Sequence, residues 1–174
     1  TMMLHGNGTN GAQNNTFLDS STNNFTITRN GNTTQGTFSP YGSNWGNFFS
    51  SSNTDWINFA ASSSLAFAGD FTVEAWIYNN YSTGTFTAAV LYDSSSNAIS
   101  SFEFNNGTYY PSIAGITATN TVTRSTLTGA TLPSLQWNHV AFVRSSGVLK
   151  VYINGIAGAT TLSNSTTTGQ FIQV

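Results

Sequence analysis

The chain has 174 residues, 4 Lys+Arg, 6 Asp+Glu and a formal net charge of −2. That length suits one domain over residues 1–174, with enough chain to bury a core. It contains no Cys, which excludes disulfide scaffolds, thiolate metal sites and cysteine nucleophiles. So few basic residues leave no electrostatic footprint for nucleic acid, and no apolar run approaches the ~18 residues that membrane insertion requires.

Uncharged polar residues take the place of the missing charges. The 21 Asn, 27 Thr, 23 Ser and 16 Gly make up half of the chain. Thr favours strands, whereas Asn, Ser and Gly favour turns. This composition is typical of extracellular or virion-surface β proteins, and the 14% aromatic content argues against disorder.

Short apolar runs separated by turn residues predict strands, and no stretch has a helical apolar period. Many short strands of this kind favour an all-β antiparallel two-sheet sandwich with no helix longer than a turn or two. In chain order the predicted strands are Phe25–Arg29, Asp55–Phe59, Phe71–Tyr78, Thr85–Tyr92, Ile99–Phe104, Ile116–Arg124, Gln136–Arg144 and Val148–Asn154.

The strand from Phe71 to Tyr78 shows which side faces the core. Phe71, Val73, Ala75 and Ile77 share one apolar face, and Thr72, Glu74, Trp76 and Tyr78 share an amphipathic one. This pattern predicts an interior strand with its apolar face buried. The two strands from Gln136 to Asn154 are predicted to form an antiparallel hairpin with a four-residue turn, in which Gly147 can adopt the left-handed conformation.

Several segments resemble the laminin G-like, concanavalin A-like jelly rolls. Asp70–Ile77 is similar to the family's "DFTxExW" strand, and Trp137–Arg144 with Leu149–Gly155 resembles its "W-x-H-V-A…R…L-x-x-Y-x-N-G" hairpin. Leu4–Gly8 resembles the opening strand. Asp19–Ser21 and Asn24–Ile27 resemble its continuation, and Thr54–Ile57 lies where the family has a "G-D-Y-L"-type strand.

The resemblance implies a jelly roll of two antiparallel sheets, and the Asn/Thr/Ser-rich version is most similar to the phage-encoded group. It therefore implies a non-catalytic module on a virion surface, in a tail fibre, head fibre or capsid decoration. Its expected partners are other virion proteins, copies of itself or cell-surface glycans. The alternative is a secreted or cell-surface glycan-binding protein or glycosidase of the same superfamily.

The resemblance also implies a closing strand after the hairpin, which this sequence lacks before it ends at Phe171–Val174. An open sheet edge is a template for another strand. We therefore expect further residues of the polypeptide or a neighbouring subunit to pair with the strand that ends at Val174.

Catalysis is not expected. Retaining glycosidases need two carboxyl groups about 5 Å apart, but the chain has only Glu74 and Glu103, with no second acid two or four residues from either. Glu74 is interpreted as a structural residue paired with a hydroxyl or amide. His139 is interpreted as a packing or hydrogen-bonding residue, because no nucleophile motif accompanies it.

No cofactor is expected. Relatives with this fold often hold calcium through carboxylate and carbonyl oxygens at loop ends. The candidates for one weak calcium site here are Asp55 and Asp70, although each is interpreted first as the cap of a turn. Asn7 stands where relatives commonly have an acid, which lowers the expectation of a family-type site.

Glycan binding is the remaining candidate chemistry, because sugar sites combine aromatic platforms with amide groups on loops. Three segments have this composition: Tyr41–Trp45, Asn79–Ser82 and Asn105–Tyr110. The alternative is that their aromatic residues belong to the core or rim of the sandwich. The candidate ligand-binding residues are Trp45, Asn79, Asn80, Tyr81, Asn106, Tyr109 and Tyr110.

Overall fold

The structure is a computed structural model of the chain. It describes residues 1–5, 16–36, 38–42, 46–49, 54–65, 69–78, 80, 85–92, 98–105, 108–113, 132–159, 162–163 and 171–173. Within these ranges the helical content is one 3-10 turn at Ser63–Leu65, as the composition predicted. In the same ranges no helix has the length and hydropathy needed to cross a bilayer.

The described strands pair in antiparallel fashion and form a two-sheet sandwich, which confirms the predicted fold class. The strands are β1 Thr28–Asn30, β2 Thr34–Gly36, β3 Gly46–Phe48, β4 Trp56–Asn58, β5 Phe71–Tyr78, β6 Thr85–Tyr92, β7 Ala98–Asn105, β8 Thr108–Ile113, β9 Trp137–Ser145, β10 Val148–Ile153, β11 Ile156–Ala157, β12 Leu162–Ser163 and β13 Phe171–Gln173. One sheet has the order β1-β4-β13-β6-β7-β8, and the other has the order β11-β10-β9-β5 with β12 also paired to β10. β2 and β3 form a separate two-stranded pair.

Strands β9 and β10 carry the best-buried part of the core. Their burial alternates with the period of two that a sheet with one wet face requires. Phe142 is paired with Val151, and both are buried, as is Leu149. Burial of each such side chain contributes about 1.5–3 kcal/mol, so these two strands anchor the second sheet.

Strand β5 has the predicted bounds, but its predicted interior position is not seen among the described strands. It is paired with β9 alone and lies at the end of the sheet order. Val73 and Ala75 lie opposite the buried Phe142 and Val140, so the inner face is the predicted one. At the sheet's end this face is less covered: Phe71, Val73 and Ile77 are half-buried, and Ala75 is exposed, contrary to prediction.

The hairpin is confirmed, but its turn is shorter than predicted. Ser145 is paired with Val148, which leaves a two-residue loop of Ser146 (φ 50°) and Gly147 (φ 74°). The next loop repeats this geometry, with Asn154 (φ 51°) and Gly155 (φ 79°) between the paired Ile153 and Ile156. Positive φ at both positions is the type I′ turn, whose twist matches that of the strands.

Strand β13 corrects the expectation of an open edge at the end of the sequence. Phe171, Ile172 and Gln173 are paired with Tyr92, Leu91 and Val90 of β6, and Gln173 is also paired with Asn58 of β4. Residues 171–173 therefore lie inside the six-stranded sheet, with neighbours on both sides. Strands of this chain thus lie on both sides of residues 171–173, where further residues of the polypeptide or a neighbouring subunit were expected.

Other segments differ from prediction in local ways. The predicted strand at Phe25–Arg29 is an isolated bridge between Leu18 and Thr26 followed by β1, and Leu4 forms a bridge with Asp19. β2, β3, β8, β11 and β12 were not predicted. The predicted strand Ile116–Arg124 lies outside the described residues.

A buried carboxylate ties the amino-terminal segments together. Asp19, 5% exposed, accepts hydrogen bonds from the backbone N–H groups of Met3, Ser21 and Phe25. It also accepts one from the Ser21 hydroxyl. Burial by itself raises the pKa of Asp19, but the hydrogen bonds outweigh it and lower the pKa to about 2.

This carboxylate should make stability dependent on acid pH. The folded pKa of about 2 lies below the ordinary value of 3.8, so the contribution is present above about pH 4 and is lost as pH falls to 2. It amounts to about 2 kcal/mol. Urea unfolding between pH 2 and 5 should show a steep loss that Asp19→Asn flattens. Equal slopes for the two proteins would contradict this assignment.

Candidate functional site

The outward face of β5 and β9 carries paired aromatic side chains. Trp76 lies directly opposite His139, and Tyr78 lies opposite Trp137. Residues directly opposite in antiparallel strands are close enough for their side chains to interact. The ring centroids of Trp76 and His139 are 5.4 Å apart, and those of Tyr78 and Trp137 are 5.6 Å apart.

The loop between β2 and β3 adds two more rings to this face. Phe38 contacts Tyr78 and Trp137, with centroid distances of 4.6 and 5.3 Å. Gly46 lies against the backbone of Phe38, where a Cβ would collide with the Phe38 carbonyl oxygen. Tyr41 contacts Trp76 at 5.8 Å. We call this set the aromatic surface: Phe38, Tyr41, Trp76, Tyr78, Trp137 and His139.

Three of these rings are substantially exposed although they are large and apolar. Phe38 is 58% exposed, Tyr41 52% and Trp76 41%. The planes of Tyr41 and Trp76 meet at 79° in an edge-to-face contact, and we call the angle between the two rings the corner. Such a corner suits a small planar or ring-shaped ligand that has an apolar face and polar edges.

A carboxylate and an imidazole border this corner. Glu74 lies two residues before Trp76, on the same face of β5, and its side chain is 61% exposed. Its Oε2 is 3.4 Å from Nε2 of His139. The carboxylate thus lies beside the rings, where its contact with the imidazole helps to hold it. Its acceptor oxygens are open to solvent. The partner expected for Glu74 was a hydroxyl or an amide, and the structure gives an imidazole.

The backbone of His139 is held by the turn after β10. Its N–H donates to Oδ1 of Asn154 at 2.9 Å, and its carbonyl accepts from the Asn154 N–H at 2.8 Å. Nδ2 of Asn154 donates in turn to Oδ1 of Asn138, which is fully buried. Nδ2 of Asn138 donates to the carbonyls of Pro133 and Gln136. This network anchors the start of β9 and so the position of the His139 ring.

The other end of β9 is anchored from the inner face. The buried Arg144 guanidinium lies over the Phe71 ring, 4.9 Å from its centroid, and donates to the Gly69 carbonyl from Nε and Nη2. Burial lowers the pKa of Arg144, and the charge of Asp70 opposes this. Strand β9 is thus held at both ends, which fixes the backbone that carries Trp137 and His139.

The ligand-binding residues predicted from sequence are only partly placed. Asn80 is exposed just beyond the end of β5, near the aromatic surface in sequence. Tyr109 and Tyr110 lie in β8 of the other sheet, opposite Phe104 and Glu103. Trp45, Asn79, Tyr81 and Asn106 lie outside the described residues. Their role in binding stays a prediction.

Both calcium candidates hold turns, as their first interpretation expected. Asp55 Oδ1 accepts from the N–H of Asn32, and Asp70 Oδ1 accepts from the N–H of Ser146. These contacts lie at different sheets, because Asp55 precedes β4 and Asp70 precedes β5. In the described ranges, no three His, Asp or Glu side chains come together as a metal site.

Sequence reasoning identified parts of the aromatic surface without recognising it as a site. It singled out Tyr41 within the segment to Trp45, and it placed Glu74, Trp76 and Tyr78 on one amphipathic face. It treated His139 as a packing residue, which its ring contact with Trp76 supports. The missed signal is that the same alternation, applied to β9, turns Trp137 and His139 outward beside the β5 residues.

Comparison with family models places this fold in a known group. The Laminin_G_3 model, described as Concanavalin A-like lectin/glucanases superfamily, matches residues 50–172. The chain therefore belongs to this family. No curated protein matches the chain.

Solved structures with the same fold include binding domains of botulinum neurotoxins. That of serotype D/C has a TM-score of 0.69 and 14% identity, with 99% of this chain and 42% of that chain covered. A D/C binding domain in complex with SialylT has a TM-score of 0.70 at the same identity and coverage. A structure described by the dependence of type C cell entry on two ganglioside molecules has a TM-score of 0.62 and 14% identity, again with 99% and 42% covered. This chain thus spans 42% of the length of these chains, and the likeness shows the shared fold.

The Asn154 contacts give a stability prediction with a matched control. Asn154→Gly keeps the left-handed turn but removes the side-chain bonds to His139 and Asn138. We expect a loss of about 1–2 kcal/mol in unfolding free energy. Ser146→Gly changes the equivalent position of the neighbouring turn, where φ is 50°, and should be neutral or slightly stabilising. Urea unfolding measures both, and an equal effect of the two changes would contradict the role of Asn154.

Proposed function

We propose that this chain is a non-catalytic glycan-recognition module displayed on the surface of a phage virion, and that the aromatic surface is its binding site. One observation carries the proposal: the exposed, perpendicular rings of Tyr41 and Trp76 stand beside Glu74 and His139 on the outer face of a sheet. The family to which the chain belongs, described as lectins and glucanases, supports a sugar ligand.

The physical reason is the complementarity between such a corner and a pyranose. A sugar ring has an apolar C–H face that packs on an aromatic ring, and hydroxyl groups at its edge that need hydrogen-bond partners. Exposed aromatic area costs about 25 cal/mol per Å² relative to burial, so a ligand that covers Tyr41 and Trp76 recovers this free energy. Glu74 can accept hydrogen bonds from sugar hydroxyls at the same corner.

Rigidity adds to this complementarity. A site whose rings are already in place loses less conformational entropy when a ligand binds. Trp76 and His139 lie directly opposite each other on β5 and β9. The backbone of His139 is held by its hydrogen bond to the Asn154 side chain. The binding face therefore requires little rearrangement.

The distribution of carboxylates supports binding without hydrolysis. Glu74 faces outward from β5, whereas Glu103 lies in β7 of the other sheet, opposite Tyr110. Retaining chemistry needs two carboxyl groups about 5 Å apart flanking one bond, and the placement of these two residues in different sheets disfavours such a pair.

The virion location rests on composition and resemblance. The chain is rich in Asn, Thr and Ser and has 6% charged residues, which is typical of β proteins on virion surfaces. Structures with this fold include receptor-binding domains that are described by their interactions with SialylT and gangliosides. By analogy with these structures, a fibre or capsid decoration that carries this surface would bind a host receptor. The alternative is that the surface contacts other virion proteins.

The site predicts a simple mutational result. Trp76→Ala should weaken glycan binding at least tenfold on a glycan array and in saturation-transfer NMR, because it removes one of the two rings of the corner. Urea unfolding should show some loss of stability, since more than half of the Trp76 surface is buried, and binding is therefore compared under conditions in which both proteins are folded. Tyr41→Ala should also weaken glycan binding. Because Tyr41 lies on the loop between β2 and β3, this change should leave the sheet that carries Trp76 intact.

The matched control is Ile156→Ala. Ile156 is also large, apolar and exposed, but it lies on β11 at the far edge of the same sheet. Its replacement should leave glycan binding unchanged. If no glycan binds, and Trp76→Ala instead disrupts association with other virion proteins, the surface is a protein contact and the proposal is wrong.

A further inference from the structure

The charge beside the rings indicates which glycans the surface takes. Resting on the proposed function, we infer that the aromatic surface selects neutral glycans and discriminates against sialylated or sulfated ones, with Glu74 as the specificity-determining residue. The inference concerns the ligand class of this one site and depends on where the charged side chains lie.

Glu74 places a negative charge within reach of any ligand on Trp76. The two residues are two positions apart on one strand, so their Cα atoms lie about 7 Å apart. The Glu74 side chain is 61% exposed, and its Oε2 lies 3.4 Å from Nε2 of His139. A separation of about 7 Å is shorter than the Debye length of ~8 Å at physiological ionic strength.

Both described guanidinium groups are held away from Glu74. The Arg144 guanidinium is buried on the inner face and donates to the Gly69 carbonyl. Arg29 belongs to the other sheet, where its Nε donates to the Thr33 carbonyl. Lys150 lies on β10, opposite Val143, on the same outward face as Glu74 but with the width of β9 between its backbone and β5.

Anionic sugars would meet repulsion from Glu74 at this corner. Sialic acid brings a carboxylate and a sulfated sugar brings a sulfate, and both groups need cationic or N–H donors. Neutral hydroxyls instead donate hydrogen bonds to the Glu74 carboxylate. The penalty of one like charge at this distance in a largely aqueous setting is about threefold to tenfold in affinity.

The test is a panel of oligosaccharides in which each core is present with and without sialic acid or sulfate, including lactose and 3′-sialyllactose, measured at pH 8 and low salt. Wild-type protein should prefer the neutral members by about threefold to tenfold. Glu74→Gln keeps the shape of the side chain and one hydrogen-bond acceptor but removes the negative charge. It should therefore narrow the preference for neutral glycans. Raising NaCl to about 0.5 M should narrow it for the wild type as well.

Glu103→Gln is the matched control, because it removes the same single charge from a strand of the other sheet. It should leave the neutral preference unchanged. If anionic glycans bind equally or better, and Trp76→Ala abolishes that binding, the inference is wrong while the proposed function stands. If neither class binds, or binding ignores Trp76→Ala, the proposed function fails and the inference falls with it.

Discussion

The register between β5 and β9 is the constraint on which the rest of the site depends. Pairing Val73 with Phe142 turns that inner row toward the core, and the same pairing sets Trp76 opposite His139 on the outside. Because side chains alternate with a period of two, a slip of one residue would exchange the two faces. Core burial and the recognition surface are therefore two consequences of one register.

Local features at both ends of β9 secure this register. At the start of β9, the type I′ turn that joins β10 to β11 carries Asn154, which holds the backbone of His139. At the other end, Arg144 holds the segment before β5 through Gly69, and Asp70 accepts from the β9–β10 turn. Asp70, Arg144 and Asn154 of the motif segments thus have structural roles. Tyr41 lies on the loop that crosses the outer face.

The sequence was most informative where contacts are local. The bounds of β5 and β6 and the hairpin of β9 and β10 follow from alternation and turn residues over short spans. By contrast, β13 enters the sheet between β4 and β6, which are more than 75 residues from it along the chain, and no local pattern reveals such a partner. The site was not predicted for the same reason, because Phe38 and Tyr41 contact the rings of β5 and β9 from a loop that is distant along the chain. Asn80 and the other amide candidates were identified by composition, which does not specify spatial neighbours.

The scarcity of charge in this chain gives each remaining charge a large local effect. Asp19 is used to tie together the amino-terminal segments, Asp55 and Asp70 hold turns, and Arg144 is buried against Phe71. Glu74 differs from these four, because its carboxylate contacts a side chain on the wet face and stays exposed beside large rings. Among the described residues around it, the Glu74 carboxylate contacts the His139 imidazole and remains largely open to solvent. Its field acts directly on whatever covers Trp76, and this is why one residue can set the charge preference of the whole surface.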